Sequence, residues 1–139
     1  MEYVLRPATA DDYRYCYCLT KRNMCELFSR HWGGWVASQF RKGYDAADVT
    51  MIIVGGRRAG YLALKVAADS IYIDNIQLSS VHRGKGLGTA ILRGLLREHA
   101  GRRVHLTTFA DNPARRLYER LGFVVTETDR ATLRMERAG

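Results

Sequence analysis

Residues 71–109 constrain the fold more than any other part of this chain. "IYIDNIQLS" (71–79) is rich in β-branched and apolar residues and reads as a strand. It runs into "SVHRGKGLG", with glycines at alternate positions 84, 86 and 88. Leu87, Ile91, Leu95 and His99 then recur at the spacing of one helix face, and "VHLTTF" (104–109) is a second strand. A strand, a helix and a strand in succession form a crossover unit, and a crossover makes its two strands parallel. The glycines mark where the chain must turn from strand to helix with no side chains in the way.

The rest of the chain arranges itself around that unit. "YVLRP" (3–7) is a short strand that Pro7 ends. Thr9 is placed to cap a helix, with Asp11 and Asp12 in its first turn, where the helix dipole favours acids. Tyr13, Cys16, Tyr17, Met24, Leu27 and Phe28 then mark a helix face, which Gly33 and Gly34 interrupt. A second helix is expected from about Trp35 to Lys42, stopping at Gly43. "VTMIIV" (49–54) and "YLALKV" (61–66) are strands, with "GGRRAG" as the turn between them; with 71–79 they form an antiparallel meander. In "DNPARRLYERLGF", Asn112, Pro113 and Gly122 frame a helix with Leu117 and Leu121 on its apolar face. "FVVTET" and "ATLRME" close the chain as strands. The predicted class is α/β of the α+β type: a mixed, mostly antiparallel sheet of seven strands with four helices on its faces.

Length and composition fit one domain over residues 1–139, with enough apolar residues (47%) for a packed core. No apolar run approaches the ~20 residues that span a bilayer, and "MEYVLRPAT" lacks the features of a signal peptide. The expectation is a cytoplasmic protein with no membrane segment. Cys16, Cys18 and Cys25 cluster in one helical segment and are read as reduced, mostly buried thiols. The four histidines are scattered, so no metal is expected. The net charge of +8 attracts anions: nucleic acid, anionic lipid or a phosphorylated ligand.

A loop between a strand and a helix N-terminus offers free backbone N–H groups and the positive end of a dipole. Arg83 and Lys85 add charge, so a pyrophosphate fits. Two phosphate motifs fail: there is no G-x-x-x-x-G-K-[S/T], and the third glycine of a dinucleotide fingerprint is replaced by Thr89 or Ile91, depending on where the count begins. The alternative is that the glycines make only a tight turn.

Arg83-Gly84-Lys85-Gly86-Leu87-Gly88 resembles the [Q/R]-x-x-G-x-[G/A] coenzyme A loop of the GNAT superfamily of N-acetyltransferases. Leu78 precedes Arg83 by five residues, as is usual there, and "NPARRLYERLGF" is similar to the family's N-x-x-A-x-x-x-Y-x-x-x-G-F segment through Asn112, Tyr118, Gly122 and Phe123. Arg115 stands in the usual alanine place. "LRPATADD" is similar to the family's first strand-to-helix junction.

The resemblance implies that the parallel strands splay to admit pantetheine. The amides of residues 83–88 would grip the pyrophosphate, with Ser79 and the Thr89 hydroxyl beside them. The Leu78 N–H would serve the thioester carbonyl, and Asn112 and Arg115 would flank the pantetheine arm. Acetyl-CoA is the implied cosubstrate. Tyr118 is the implied acid for the leaving thiolate; its other reading is a core aromatic. Asp74 is the only carboxylate on either of the two strands and is the candidate base; its other readings are a solvent-facing residue or a base role taken by water. Trp32, His31 and Tyr17 are candidate walls of an acceptor site over the first two helices. A small-molecule or peptide amine is the expected acceptor, and a homodimer is compatible with the family.

Two other classes stay open on the sequence. An aminoacyl-tRNA or protein N-terminus as acceptor would use the basic surface. A basic nucleic-acid-binding module, or a non-catalytic acyl-CoA-binding one, would use the fold without turnover. The cations are dispersed along the sequence and no RNP-like or KH-type motif occurs, so nucleic acid is not the expected partner.

Overall fold

The computed structural model describes residues 2–139; Met1 of the expected 1–139 domain lies outside them. Seven strands pair into one sheet: β1 (Val4–Pro7), β2 (Asp48–Val54), β3 (Arg57–Val66), β4 (Ser70–Leu78), β5 (Arg103–Phe109), β6 (Val124–Asp129) and β7 (Thr132–Arg137). Their order is β1-β2-β3-β4-β5-β7-β6. Every neighbouring pair is antiparallel except β4 and β5. Four helices complete the fold: α1 (Tyr13–Trp32), α2 (Ala37–Ala46), α3 (Leu87–Glu98) and α4 (Ala114–Arg120). None of the described helices is long and apolar enough to cross a membrane.

Alternation along the strands sorts the core into two layers. Ile52, Leu62, Ile71, Ile73, Val104 and Leu106 face α3 and α4, where Leu87, Ile91, Leu92 and Leu95 meet them. Met51, Tyr61 and Ala63 face the other way, against Cys16 and Leu19 of α1. The α3 stripe is buried at positions 87, 91, 92 and 95, as an amphipathic helix requires.

Four local expectations are corrected. First, α2 runs through Gly43 to Ala46. Gly43 costs a helix only ~1 kcal/mol, and packing of Phe40 and Tyr44 against Tyr13 outweighs it. Second, the residues read as a long turn split in two. Gly55 and Gly56 take positive φ (59° and 78°) and form a two-residue hairpin turn, while Arg57–Gly60 join β3. Third, Ala10–Asp12 is a separate 3-10 turn. Thr9 caps that turn with Asp11 and Asp12 in it, as expected, but Asp12 is also fully buried: it is held by Arg6 (2.7 Å) and Arg58 (2.9 Å), and it accepts from the Thr9 N–H (2.8 Å). Fourth, only Cys16 of the three cysteines is buried; Cys18 and Cys25 are exposed on the outer side of α1.

Candidate active site

The parallel pair is short. Ser70, Ile71, Tyr72 and Ile73 pair with Arg103, Val104, His105 and Leu106, and the pairing stops there. Beyond Ile73, β4 continues to Leu78 on β3 alone, and beyond Leu106, β5 continues to Phe109 on β7 alone. The two strands therefore part at their carboxyl ends, the edge where open sheets bind ligands.

A β-bulge coincides with the parting. Ala63 pairs with Asn75 and Leu64 with Ile73, so Asp74 is an extra residue on β4. The bulge reverses the alternation. Ile71 and Ile73 face α3 before it, whereas Ile76 and Leu78 pack against that layer after it. Asp74, Asn75 and Gln77 are thereby turned towards α1 and α2. The Asn75 carboxamide donates to the Tyr61 hydroxyl (3.0 Å), and a Cβ on Gly43 of α2 would sit 3.9 Å from Asp74 Oδ2.

Ladder alternation also fixes where the Leu78 amide points. The Ser79 N–H donates to the Ala59 carbonyl (2.8 Å). Successive residues of an antiparallel strand direct their N–H and C=O groups to opposite sides. Leu78 therefore turns both groups away from β3, into the space that β5 has left. Its carbonyl there accepts from Asn23 Nδ2 of α1 (3.1 Å).

Asn23 belongs to a polar chain that the sequence reading missed. It donates also to Gln77 Oε1 (3.0 Å); Gln77 Nε2 donates to Asn75 Oδ1 (2.8 Å); and the Tyr61 hydroxyl is shared with Thr20. Gln77 and Thr20 are buried. The only signal was polar residues in a strand otherwise rich in isoleucine, and without the bulge their common direction was not legible.

On the far side of the gap, the loop meets the start of α3. Gly84 and Gly86 hold left-handed φ of 73° and 83°, and Gly86 is the N-cap of α3. The N–H groups of His82 and Arg83 are taken by Ser79 and Ser80 carbonyls. Among the described residues no loop acceptor takes those of Gly84, Lys85 or Gly86, and Leu87, Gly88 and Thr89 are the first helical residues, whose N–H groups have no intrahelical partner. Ser79 is outside the strand, and its hydroxyl is bonded to His82 Nδ1 (2.8 Å). Gly88 packs between two side chains: a Cβ on it would lie 3.5 Å from both Leu78 and Leu117, in ordinary van der Waals contact.

Tyr118 lies on α4 and is buried in the α3/α4 layer, 6.0 Å centroid to centroid from Phe123. Burial pushes its phenol up to about 12, so it stays protonated at neutral pH and can donate. Asn112 spends its Oδ1 on the Ala114 N–H (3.0 Å), which caps α4 and leaves its Nδ2 for another partner. Arg115 is occupied by Glu119 at 3.6 Å. Burial raises the Asp74 carboxyl, and Lys65 at 3.8 Å partly opposes that.

The acceptor candidates separate into two groups. His31 and Trp32 end α1 beside β5: the His31 ring stacks on Phe109 (5.1 Å), its Nε2 meets the Asp111 carboxylate (2.9 Å), and Trp32 lies 4.7 Å from Phe109 with 58% of its surface exposed. Tyr17 is further back, edge-on to Trp35 and Phe40, with its hydroxyl accepting from Trp35 Nε1 (3.2 Å). Thus α1 touches β4 through Asn23 and the end of β5 through His31 and Trp32, and it bridges the gap. A concavity of about 1100 Å³ lies at the β1 side of the sheet around Tyr15, Arg6 and Arg58 and holds none of these residues.

A mixed sheet whose one parallel pair parts beside a glycine loop of unbonded amides leaves an opening between two strands with free N–H groups at one end. The chain belongs to the acetyltransferase (GNAT) family, whose model matches residues 16–123. Mycothiol acetyltransferase of Corynebacterium glutamicum (strain R) is 36% identical over 108 residues, covering 69% of this chain and 36% of that protein. Streptothricin acetyltransferase of Streptomyces lavendulae is 32% identical over 107 residues, covering 71% of this chain and 57% of that protein. The matches thus span less than two thirds of either relative's length. Among solved structures, PaiA N-acetyltransferase of Thermoplasma acidophilum, in complex with coenzyme A, has a TM-score of 0.78 at 15% identity over all of both chains. The ribosomal-protein-S18-alanine N-acetyltransferase of Escherichia coli has 0.75 at 20% identity, covering 99% of this chain and 94% of that one. These two share the fold.

Proposed function

We propose that this chain is an acetyl-CoA-dependent N-acetyltransferase that moves the acetyl group to a primary amine by direct attack. One observation carries the reading: the parting of β4 and β5, the free Leu78 N–H and the unbonded loop amides occur at one place. The residues fit coenzyme A. The amides of Gly84 to Gly88 hold its pyrophosphate, assisted by the charges of Arg83 and Lys85 and the Thr89 hydroxyl. Asn112 Nδ2 serves the pantetheine arm, and Arg115 lies at its edge. The bound cosubstrate supplies the activated acetyl group.

The chain's own groups then divide the work. The Leu78 N–H donates to the carbonyl oxygen where negative charge gathers, and a single such donor is worth ~3–4 kcal/mol of barrier. Asp74, made more basic by burial, takes the proton that the amine must lose, directly or through water. Tyr118 returns a proton to the departing sulfur. Holding amine and thioester side by side supplies a further ~7–11 kcal/mol. The acceptor enters from the α1/α2 side, past His31, Trp32 and Tyr17. The names of the two relatives, each an acetyltransferase of a small molecule, favour a small-molecule amine.

Thermal unfolding tests this with acetyl-CoA, ATP and NAD in separate samples. A ligand that binds only the folded state adds about 2.7 kcal/mol at a hundredfold excess over its Kd. Stabilisation by acetyl-CoA alone, followed by thiol release with members of an amine panel, supports the reading. Equal or greater stabilisation by ATP or NAD overturns it; stabilisation by acetyl-CoA without thiol release from any amine reduces it to a binding module.

A further inference from the structure

A second concavity lies where the end of α3 meets the start of β5 and the end of β7. Arg93 and Arg97 on α3, Arg102 before β5, Arg120 at the end of α4 and Arg137 on β7 all line one concavity of about 470 Å³, with His99 among them. These residues are scattered over 45 positions of sequence (137 − 93 + 1), and the fold brings them together. No aspartate or glutamate side chain is in the lining. None of the five is in the ion pairs found among the described residues, whereas Arg103 beside them is neutralised by Glu136 at 2.6 Å. Arg137 uses its Nε on the Leu121 carbonyl (2.8 Å). Arg93, Arg97 and Arg120 are exposed.

We infer that this concavity binds a chain of phosphate groups, either the backbone of a single-stranded nucleic acid or a free polyphosphate. Cations at helix C-termini complement the dipole, which accounts for one or two of them, not five around one hollow. Arginine's planar fork matches phosphate oxygens bidentately. Arg93 and Arg97, four residues apart, stand ~5–6 Å apart at their Cβ atoms, a spacing that serves successive charges along one strand. The site is separate from the glycine loop: Arg97 lies ten residues beyond Leu87, ~15 Å along the helix.

The test uses the full chain and two probes, a fluorescein-labelled single-stranded RNA of mixed sequence and sodium tripolyphosphate, at about 50 mM salt and upward. On a single strand, log K should fall with log salt at ~0.7 per phosphate contacted. R93E/R97E/R120E should weaken binding at least tenfold while keeping the acetyl-CoA-dependent rise in melting temperature. R14E/R22E/R57E removes the same net charge elsewhere and should change binding less than threefold. R93Q/R97Q is the milder variant if the triple one misfolds. RNA bound tenfold more tightly than tripolyphosphate assigns the nucleic-acid source, and the reverse order assigns the free polyphosphate. Three results each overturn the site: no binding of either probe, equal loss in both triple variants, or displacement of the bound probe by coenzyme A. Equally tight binding of poly-glutamate would also overturn it, since phosphate would then not be what is recognised. None of these results depends on turnover, so failure here is distinguishable from failure of the acetyltransferase reading.

Discussion

Asn23 Nδ2 donates to the Leu78 carbonyl at 3.1 Å, on the side of β4 that β5 has vacated. The Leu78–Ser79 peptide is thus clamped at both ends, since its N–H is held by Ala59. The neighbouring Leu78 N–H is the proposed donor to the reacting carbonyl, and its aim depends on that clamp. An ångström of misplacement near the chemistry costs ~10²-fold. Asn23→Leu is therefore expected to lower kcat by ~10–100-fold while leaving the Kd for acetyl-CoA within about threefold, with Asn23→Gln partly rescuing it. Steady-state kinetics beside calorimetric titration separates the two; a parallel loss of cosubstrate binding would mean that Asn23 merely supports the fold.

Gly86 is the N-cap of α3 at φ 83°. Any L-residue there bears ~1–2 kcal/mol of backbone strain, so the loop must shift to accept one although its Cβ would meet only open space. Gly86→Val should lower the melting temperature by a few degrees and, separately, abolish the rise caused by acetyl-CoA. Leu117→Ala, a packing change of similar cost beside the same loop, should retain that rise. If both variants respond to acetyl-CoA alike, the glycine is there only for the turn.

Tyr118 carries a phenol held near 12 by burial. As the acid for the leaving thiolate it should contribute ~10²–10⁴-fold to turnover. Tyr118→Phe keeps the packing against Phe123 and should lower kcat within that range with little change in KM. Thioesters with more acidic thiols leave without help, so they should be less affected. A uniform loss across thioesters would return Tyr118 to the core.

Much of this architecture was legible in the sequence because its determinants are local. The order of strands and helices, the crossover, the glycine loop and the Asn112–Gly122 helix each rest on contiguous residues with a definite period or turn chemistry. Leu78 and Tyr118 came from family resemblance, and the geometry around Leu78 fits the role carried over. What could not be read depends on pairing between distant segments. The bulge at Asp74 exists only relative to β3, so the common direction of Asp74, Asn75 and Gln77 was hidden, and with it Asn23. Asp12 was legible as a first-turn acid, but its ion pairs were not, because Arg6 and Arg58 are brought to it only by the β1–β2–β3 pairing. The basic concavity was invisible for the same reason: its arginines come from four different places in the chain.

Asp12 makes a stability prediction with a definite sign. The Arg6 guanidinium, with Arg58 and the Thr9 amide, holds its carboxyl well below the usual range, against the opposing effect of burial. A depressed carboxylate contributes stability that is present above its unfolded pKa of about 3.9 and is lost as pH falls below it. Because Arg6 and Arg58 are more than a third exposed, removing Asp12 leaves no buried charge behind and costs about 1.5–3 kcal/mol, the worth of hydrogen bonds to a charged group. Asp12→Asn should lower stability by that order at pH 7, and the difference from wild type should shrink steadily below pH 4. Urea titrations at several pH values would show it; a pH-independent gap would mean that packing, not charge, is what Asp12 supplies.

Asp74 has the opposite sign, which is compatible with the base role proposed for it. Burial raises its carboxyl above the ordinary value, with Lys65 only partly offsetting this. The fold therefore disfavours the charged form, so at neutral pH the carboxylate detracts from stability, and the penalty fades as pH falls through the folded-state pKa to the unfolded one. A base needs that same raised affinity for a proton. Asp74→Asn should then raise the melting temperature at pH 7, with the gain disappearing towards pH 4. The same substitution should lower kcat/KM and remove the limb of its pH profile that falls on the acid side. A variant that is more stable, less active and flattened in that limb would identify Asp74 as the base. If stability rises but activity and its pH profile are unchanged, water supplies the proton acceptor and Asp74 only borders the gap.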